Sequence, residues 1–341
     1  MSGPLRVGWV GCGVHATEML LPQLVRLDVR LAALCDLDPG RLAAVGSRYG
    51  VPPHDTTRDW RALLGRPDLD AIGVAAGPDA HLEIGLAALD RRLPLFLEKP
   101  PARTARDAET LARKAAQAGS PAILGFMKRY ATANRIAANV IRSGDFGPTA
   151  SFLGEYMTAP TYFAADPDAS GFFLHHCVHY MDLVPHLMGE VAEVSVRRHD
   201  LAPGKLLLHV DFRFVHGALG TLVMGTHQSR GTPMEWWQVM GDHRRVEVRN
   251  VHEVRLYRAA PFKAGRVDAS LVDGEDALVW EPNLTAAANE DHKGYHALLV
   301  DFVAMARGEE RDAPTLADGA RAMRLLEAIA APAAEAAQVT V

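Results

Sequence analysis

Three groups of residues in this 341-residue chain have types and spacings suited to chemistry. The first is Gly11-Cys12-Gly13-Val14-His15-Ala16, a G-x-G-x-x-A that follows the apolar Val7, Trp9 and Val10 and opens a leucine-rich helical spacing. Gly11 permits a tight turn, and Gly13 lets backbone N–H groups approach a pyrophosphate. Ala16 is small enough to bring a helix close to a strand. Free N–H groups and the helix dipole favour negative charge at that helix start. The second group is Glu98-Lys99, set between the apolar Pro94–Leu97 and Pro100. A lysine buried beside a cofactor has its pKa lowered toward neutrality and becomes a usable acid or base. The plainer alternative is a surface lysine that a proline follows. The third group is His175, His179, Asp182 and His186, whose spacings of four, three and four place them on one helix face. Two neighbouring imidazoles there oppose double protonation. The same spacing suits zinc, with Asp182 or His186 as a third ligand, although His186 lies about three turns from His175. Structural histidines are the other reading, and no metal is expected.

These groups need elements to position them. A second apolar run, Val29–Cys35, ends in Asp36, 23 residues after Gly13. An acid there accepts hydrogen bonds from ribose hydroxyls and repels a 2′-phosphate, which favours NAD. Arg41 keeps NADP open, and Asp36 capping the next helix is the alternative role. Helices are predicted over 39–49, 59–64, 80–90 (capped by Asp79) and 104–118. Buried strands are predicted over 70–76, 94–97 and 121–126. Pro22 predicts a kink or early stop in the first helix. Short apolar strands alternating with helices imply a doubly wound parallel sheet, whose ligands bind beyond the carboxyl ends of the strands. Gly11–Gly13, Asp36, Ala76–Gly77 and Glu98–Lys99 all fall at such ends.

The pattern changes near residue 126. Helices are predicted over 130–143 and 172–188, the latter with a kink at Pro185, and a strand over 149–157. In 206–215, Leu208, Val210, Phe212 and Phe214 share one face while His209, Asp211 and Arg213 share the other. More alternating strands follow over 219–226, 235–240, 245–248 and 253–257, then helices over 291–306 and 316–331. The expectation is an α/β dinucleotide-binding domain over 1–125. An α+β domain over 126–341 follows, with a large open, mostly antiparallel or mixed sheet and C-terminal helices able to pack back on the first domain.

Hydrophobic residues make up 48% of the chain, enough for two cores. The net charge of −5 and the lack of a basic block argue against nucleic acid. Cys12, Cys35 and Cys177 are widely spaced and read as free thiols of a reducing compartment. No apolar run approaches membrane-spanning length and no leader pattern opens the chain, so a cytoplasmic protein without a membrane partner is expected.

The glycine turn, the strand-end acid, Glu98-Lys99-Pro100 and the His179-x-x-Asp182 helix together resemble the glucose–fructose oxidoreductase, inositol dehydrogenase and MocA (GFO/IDH/MocA) family. The resemblance covers nearly the whole chain. It implies a Rossmann domain and an NAD(P)-dependent oxidoreductase acting on a CH–OH group of a sugar, polyol, cyclitol or keto sugar. A homodimer or homotetramer through the C-terminal sheet is also implied. Lys99 matches the family's catalytic lysine and His179 its active-site histidine, with His175 where an aspartate is common. Lys99 is therefore the stronger candidate for the proton step, and His179 polarises or positions the substrate oxygen. Gly125-Phe126-Met127-Lys128-Arg129-Tyr130 resembles the family's G-F-x-x-R-[FY], which gives Arg129 a cofactor or anionic-substrate contact and Lys128 a substrate contact. His81 matches a histidine near the nicotinamide side. Glu98 pairs with Lys99 or contacts the cofactor. Tyr156, Tyr162, Phe172 and Trp236 are candidate pocket walls, and His292 and Tyr295 weaker ones. Two alternatives stay open: a non-catalytic NAD(H)- or sugar-binding regulator, and an NAD-dependent glycosidase that oxidises its sugar transiently.

Overall fold

A computed structural model describes residues 3–159, 169–228, 234–258, 277–283, 291–331 and 339–340. The chain divides into two compact units, Met1–Met127 with Gly294–Arg324, and Lys128–Lys293 with Leu325–Val341.

The first unit is built on six strands: β1 (Leu5–Val10), β2 (Val29–Cys35), β3 (Thr56–Thr57), β4 (Ala71–Val74), β5 (Leu95–Leu97) and β6 (Ala122–Leu124). All pairings are parallel, in the order β3-β2-β1-β4-β5-β6. Every residue of β4 and β5 is buried, as a sheet covered on both faces requires. The strand order reverses between β1 and β4, which opens a crevice at the carboxyl ends. The helices are α1 (Leu21–Leu24), α2 (Pro39–Tyr49), α3 (Trp60–Leu64), α4 (Pro78–Asp90) and α5 (Ala105–Ala118).

One local expectation is met and one changes here. The helix is irregular at Pro22 and ends soon after it, at Leu24; a π-helical turn, Ala16–Leu20, precedes it, and the Leu21 N–H reaches back five residues to the Ala16 carbonyl. The wide turn accommodates the proline ring, which would clash with a carbonyl in α spacing. Asp79 is not the cap of α4. Gly77 holds that position, Pro78 starts the helix with its fixed φ, and Asp79 instead pairs with Arg103.

The second unit contains α6 (Thr132–Arg142), β7 (Ser151–Met157), α7 (Ser170–Phe172) and α8 (Val178–Met188), with a π-helical turn, Phe173–Cys177, between the last two. It continues with β8 (Val191–Ala202), β9 (Lys205–Phe214), β10 (Leu219–Gly225), β11 (Glu235–Met240), β12 (Arg245–Arg249), β13 (Glu253–Tyr257), β14 (Ala277–Trp280) and β15 (Val339–Thr340). Its sheet runs β14-β13-β12-β11-β7-β10-β9-β8-β15. The β7–β10 pair is parallel and the others antiparallel, so the sheet is mixed, as expected. On β9, Leu206, Leu208, Val210, Phe212 and Phe214 are buried, in agreement with the alternation. β8 was not anticipated, because its second half, Arg197–Asp200, is charged and exposed or half-buried.

Two further helices follow in sequence, α9 (Tyr295–Ala306) and α10 (Leu316–Ala330). α9 belongs to the first unit: Phe302 packs on Phe96 at 5.7 Å between ring centroids, and Arg307 bonds Asp28. Among the described residues no helix is long and apolar enough to cross a membrane.

Candidate active site

In the first unit the chain turns sharply after β1. Gly11 has φ +94°, and a Cβ there would stand 2.0 Å from the Ala75 carbonyl oxygen, so only glycine fits. Its N–H donates to the Cys35 carbonyl at 2.8 Å. Asp36, at the end of β2, accepts from the Cys12 N–H at 2.7 Å and from the Asp38 N–H at 2.9 Å. Asp36 therefore fastens the glycine turn, while Asp38 caps α2 by accepting from Gly40 and Arg41. A Cβ on Gly13 would meet nothing within 4 Å, Ala16 is buried and Val14 is 68% exposed. An open helix start, a carboxylate at the next strand end and an exposed apolar residue fit a dinucleotide: diphosphate on N–H groups, ribose near Asp36.

The ends of β4 and β5 carry the other expected residues. Glu98 is buried, its N–H donates to the Val74 carbonyl, and its Oε2 accepts from the Lys99 N–H at 2.9 Å. His15 Nε2 stands 3.4 Å from Glu98 Oε1, and its ring lies edge-on to Tyr295. Burial pushes the Glu98 carboxyl up, but the contact with His15 and the charge of Lys99 outweigh it and hold the pKa below its ordinary value. A Cβ on Gly125 would stand 2.7 Å from Glu98 Oε1, so glycine there leaves room for the carboxylate. Lys99 is half-buried and precedes a cis Pro100. His81 is fully buried, bonded through one ring nitrogen to the Ala76 N–H and through the other to the Pro100 carbonyl. Gly11, Gly13, Val14, His15, Ala16, Asp36, Ala76, Gly77, His81, Glu98 and Lys99 thus occur along one sheet edge and its adjoining turns.

In the second unit the helix spacing behaves differently from the expectation of one face. The π-helical turn Phe173–Cys177 has more residues per turn than an α-helix, so side chains within it shift in phase against those after it. His175 is exposed, whereas His179 and Asp182 are buried. Asp182 accepts from Arg129 Nε at 2.8 Å and also from Arg129 Nη2, a two-point fork on a guanidinium that is itself largely buried. His186 stands 3.0 Å from Arg142. Asp182 and His186 are therefore both engaged with arginines.

Lys128 was named as a substrate contact and lies in a buried network. Its Nζ is 2.5 Å from Glu235 Oε2 and 5.1 Å from the centre of the Tyr180 ring. The Tyr180 hydroxyl donates to the same carboxylate oxygen. The Tyr156 hydroxyl is 2.5 Å from His176 Nδ1. Burial, then the negative charge of Glu235, pushes the Tyr156 phenol up, so it keeps its proton within the hydrogen bond to His176. His176, Tyr180 and Glu235 were missed. His176 was hidden because strict α spacing selects His175, and Glu235 because an acid at the start of an apolar strand reads as solvated. Of the other wall candidates, Phe172 is fully buried, Trp236 lies on β11, and Tyr162 falls outside the described residues.

Two family models match the chain. One is described as an oxidoreductase family, NAD-binding Rossmann fold, over residues 5–126; the other as the C-terminal alpha/beta domain of the same family, over 140–341. The inositol 2-dehydrogenase of Salmonella typhimurium is 30% identical over 160 residues, which is 46% of this chain and 47% of that protein. The chain spans about half the length of the curated relatives it matches first. Among solved structures, a dehydrogenase from Chromobacterium violaceum aligns with a TM-score of 0.82 at 25% identity, covering 96% of this chain and 95% of that one. A levoglucosan dehydrogenase in complex with NADH and levoglucosan aligns with a TM-score of 0.81 at 19% identity, covering 99% of both chains, and shares the fold.

Proposed function

This chain belongs to the GFO/IDH/MocA oxidoreductase family, and from that premise we propose that it transfers a hydride between NAD and a sugar, polyol, cyclitol or keto sugar. The observation that carries the reading is the placement of the glycine turn, Asp36 and Glu98-Lys99 at the carboxyl edge of one parallel sheet. Relatives named for inositol, apiose and levoglucosan support the substrate class.

NAD, when bound, supplies the hydride acceptor or donor. The residues of the chain do the rest. Gly13 and the helix start that follows bind the diphosphate, and Asp36 selects ribose hydroxyls over a 2′-phosphate. Lys99 Nζ takes the hydroxyl proton in the oxidising direction and returns it in the reducing one. His179 positions the substrate oxygen. Lys128, Tyr156 and Arg129 act through their partners Glu235, His176 and Asp182, which fix the helix that carries His179.

The second unit also offers a face for self-association. Leu153, Leu219 and Met240 stand in neighbouring register on β7, β10 and β11 and are 39%, 60% and 40% exposed. This open sheet face, with its apolar side chains set among Ser151, Thr221, Gln238, Asp211 and Arg213, suits a second copy of the chain.

The test is nicotinamide absorbance over a panel of sugars, cyclitols and keto sugars, with NAD(H) and NADP(H) in parallel and Lys99→Met as control. Turnover with NAD that Lys99→Met abolishes without loss of cofactor binding is the expected result. Turnover that survives in Lys99→Met overturns the assignment of the proton step. NADH binding without turnover of any panel member overturns the enzyme reading.

A further inference from the structure

The backbone around Lys99 is held from both sides by buried side chains. On the amino side, Glu98 Oε2 accepts the Lys99 N–H at 2.9 Å. On the carboxyl side, the Pro100 carbonyl oxygen lies 2.7 Å from His81 Nδ1. The other nitrogen of that ring, Nε2, is 2.9 Å from the Ala76 backbone nitrogen. An amide N–H only donates, so Nε2 must carry a lone pair. A carbonyl only accepts, so Nδ1 must carry the proton. The two partners together select the neutral Nδ1–H imidazole, and no other protonation state satisfies both.

His81 thereby joins the end of β4 to the turn that carries Lys99. The buried Glu98 carboxylate couples electrostatically with His81, Lys99 and His15. A second bridge links the same two segments at the surface: Arg103 forks Asp79 at 2.8–3.3 Å, with side chains 54% and 73% exposed. An exposed bridge of this kind contributes little, whereas the imidazole is fully buried and fixes the position of the Pro100 carbonyl.

We infer that His81 is a positioning residue for Lys99: as a neutral Nδ1–H imidazole it ties the Pro100 carbonyl to the Ala76 N–H and, with Glu98 on the opposite side, holds the Lys99 backbone where its amine can exchange a proton with substrate. This rests on the reading of Lys99 as the proton-transferring group. It gives His81 a role different from contact with the cofactor.

The experiment compares His81→Leu, which keeps bulk and loses both bonds, His81→Gln, whose amide offers one donor and one acceptor, and Arg103→Ala, which breaks only the exposed bridge. The expected result is a fall in kcat of about 10- to 100-fold for His81→Leu, with KM for NAD changed less than about threefold. His81→Gln recovers most of kcat, and Arg103→Ala leaves it within about twofold. Independently of turnover, trace acetylation of Lys99 followed by mass spectrometry should change in rate more than about threefold in His81→Leu and in neither other variant. Equal kcat and equal labelling in His81→Leu and wild type, with only a lower Tm, overturn the inference. So does a failure of His81→Gln to rescue either readout. If His81→Leu does not fold, the 15N shifts of the wild-type imidazole decide: the Nδ1–H tautomer supports the clamp and the Nε2–H tautomer refutes it. Should no panel substrate turn over, the reading of Lys99 as a base fails by itself, while labelling and tautomer still decide whether His81 holds the turn.

Discussion

Replacing Asp182 by asparagine separates a structural role for Arg129 from a cofactor contact. Asp182 is 3% exposed, and the Arg129 side chain is 12% exposed. Two charge-assisted hydrogen bonds join them, from Nε at 2.8 Å and from Nη2. Asparagine keeps the shape and one acceptor but removes the charge that balances the guanidinium. Removing one partner of a buried pair costs about 3–5 kcal/mol, and the retained acceptor places this change near 3 kcal/mol. For a unit of this size each kcal/mol lowers the midpoint by about 2–4 °C, so the transition of the second unit should fall by about 6–12 °C. Calorimetry resolves that transition, and NADH fluorescence titration measures the affinity in parallel. Affinity should stay within about threefold, because the fork is internal to the second unit. The double variant Arg129→Met with Asp182→Leu should recover more than half of the lost stability, since it leaves no buried charge without its partner. A loss of NADH affinity above tenfold with an unchanged midpoint would refute this reasoning and restore Arg129 as a cofactor ligand.

Four shorter predictions follow from other residues. Glu98 has a folded pKa below its ordinary value of 4.5, so its contribution to stability is complete above that pH and is lost as pH falls through the lower folded value; acid titration of unfolding should show that loss, and Glu98→Gln should remove it. Burial pushes the Cys12 and Cys35 thiols up to about 12, so iodoacetamide at pH 8 should modify them at least about 100-fold more slowly in folded than in denatured protein. Gly13→Val enters open space, so it should leave Tm nearly unchanged while NADH affinity falls more than about tenfold; Gly11→Ala, against the Ala75 carbonyl, should lower both. Leu153→Arg combined with Leu219→Arg should reduce the mass measured by light scattering to that of one chain, and an unchanged mass would exclude this face from self-association.

The parallel sheet was legible because its signals are local. Val29–Cys35, the run into Val74 and Leu95–Leu97 are short apolar stretches between helix starts, and α2 begins and ends where Pro39 and Gly50 punctuate it. β11 and β13 were legible for the same reason, as alternating runs between turns. β8 was not, because its pairing with β9 continues through Arg197–Asp200, where no hydrophobic alternation remains to mark it. The π-helical turns were also hidden. Spacing arguments assume 3.6 residues per turn, and both turns lie just ahead of residues that spacing was used to align.

The chemistry shows the same division between residue type and residue partner. Lys99, Glu98 and His81 could be named from motif positions, yet what each one touches depends on strand ends separated by whole helices. His81 reaches Pro100 across 19 positions and Glu98 reaches toward His15 across more than 80. No spacing rule spans such distances; only the order β1-β4-β5 brings these turns together. In the second unit the consequence is sharper. His175 is exposed while His176 is bonded to Tyr156, so the position where the family commonly has aspartate lies at the surface. If the neighbour of His179 that matters is His176, then His175→Asp should change the pH profile of turnover little, while His176→Phe should shift it. A large shift in His175→Asp with none in His176→Phe would show that the exposed imidazole, and not the Tyr156-bound one, tunes His179.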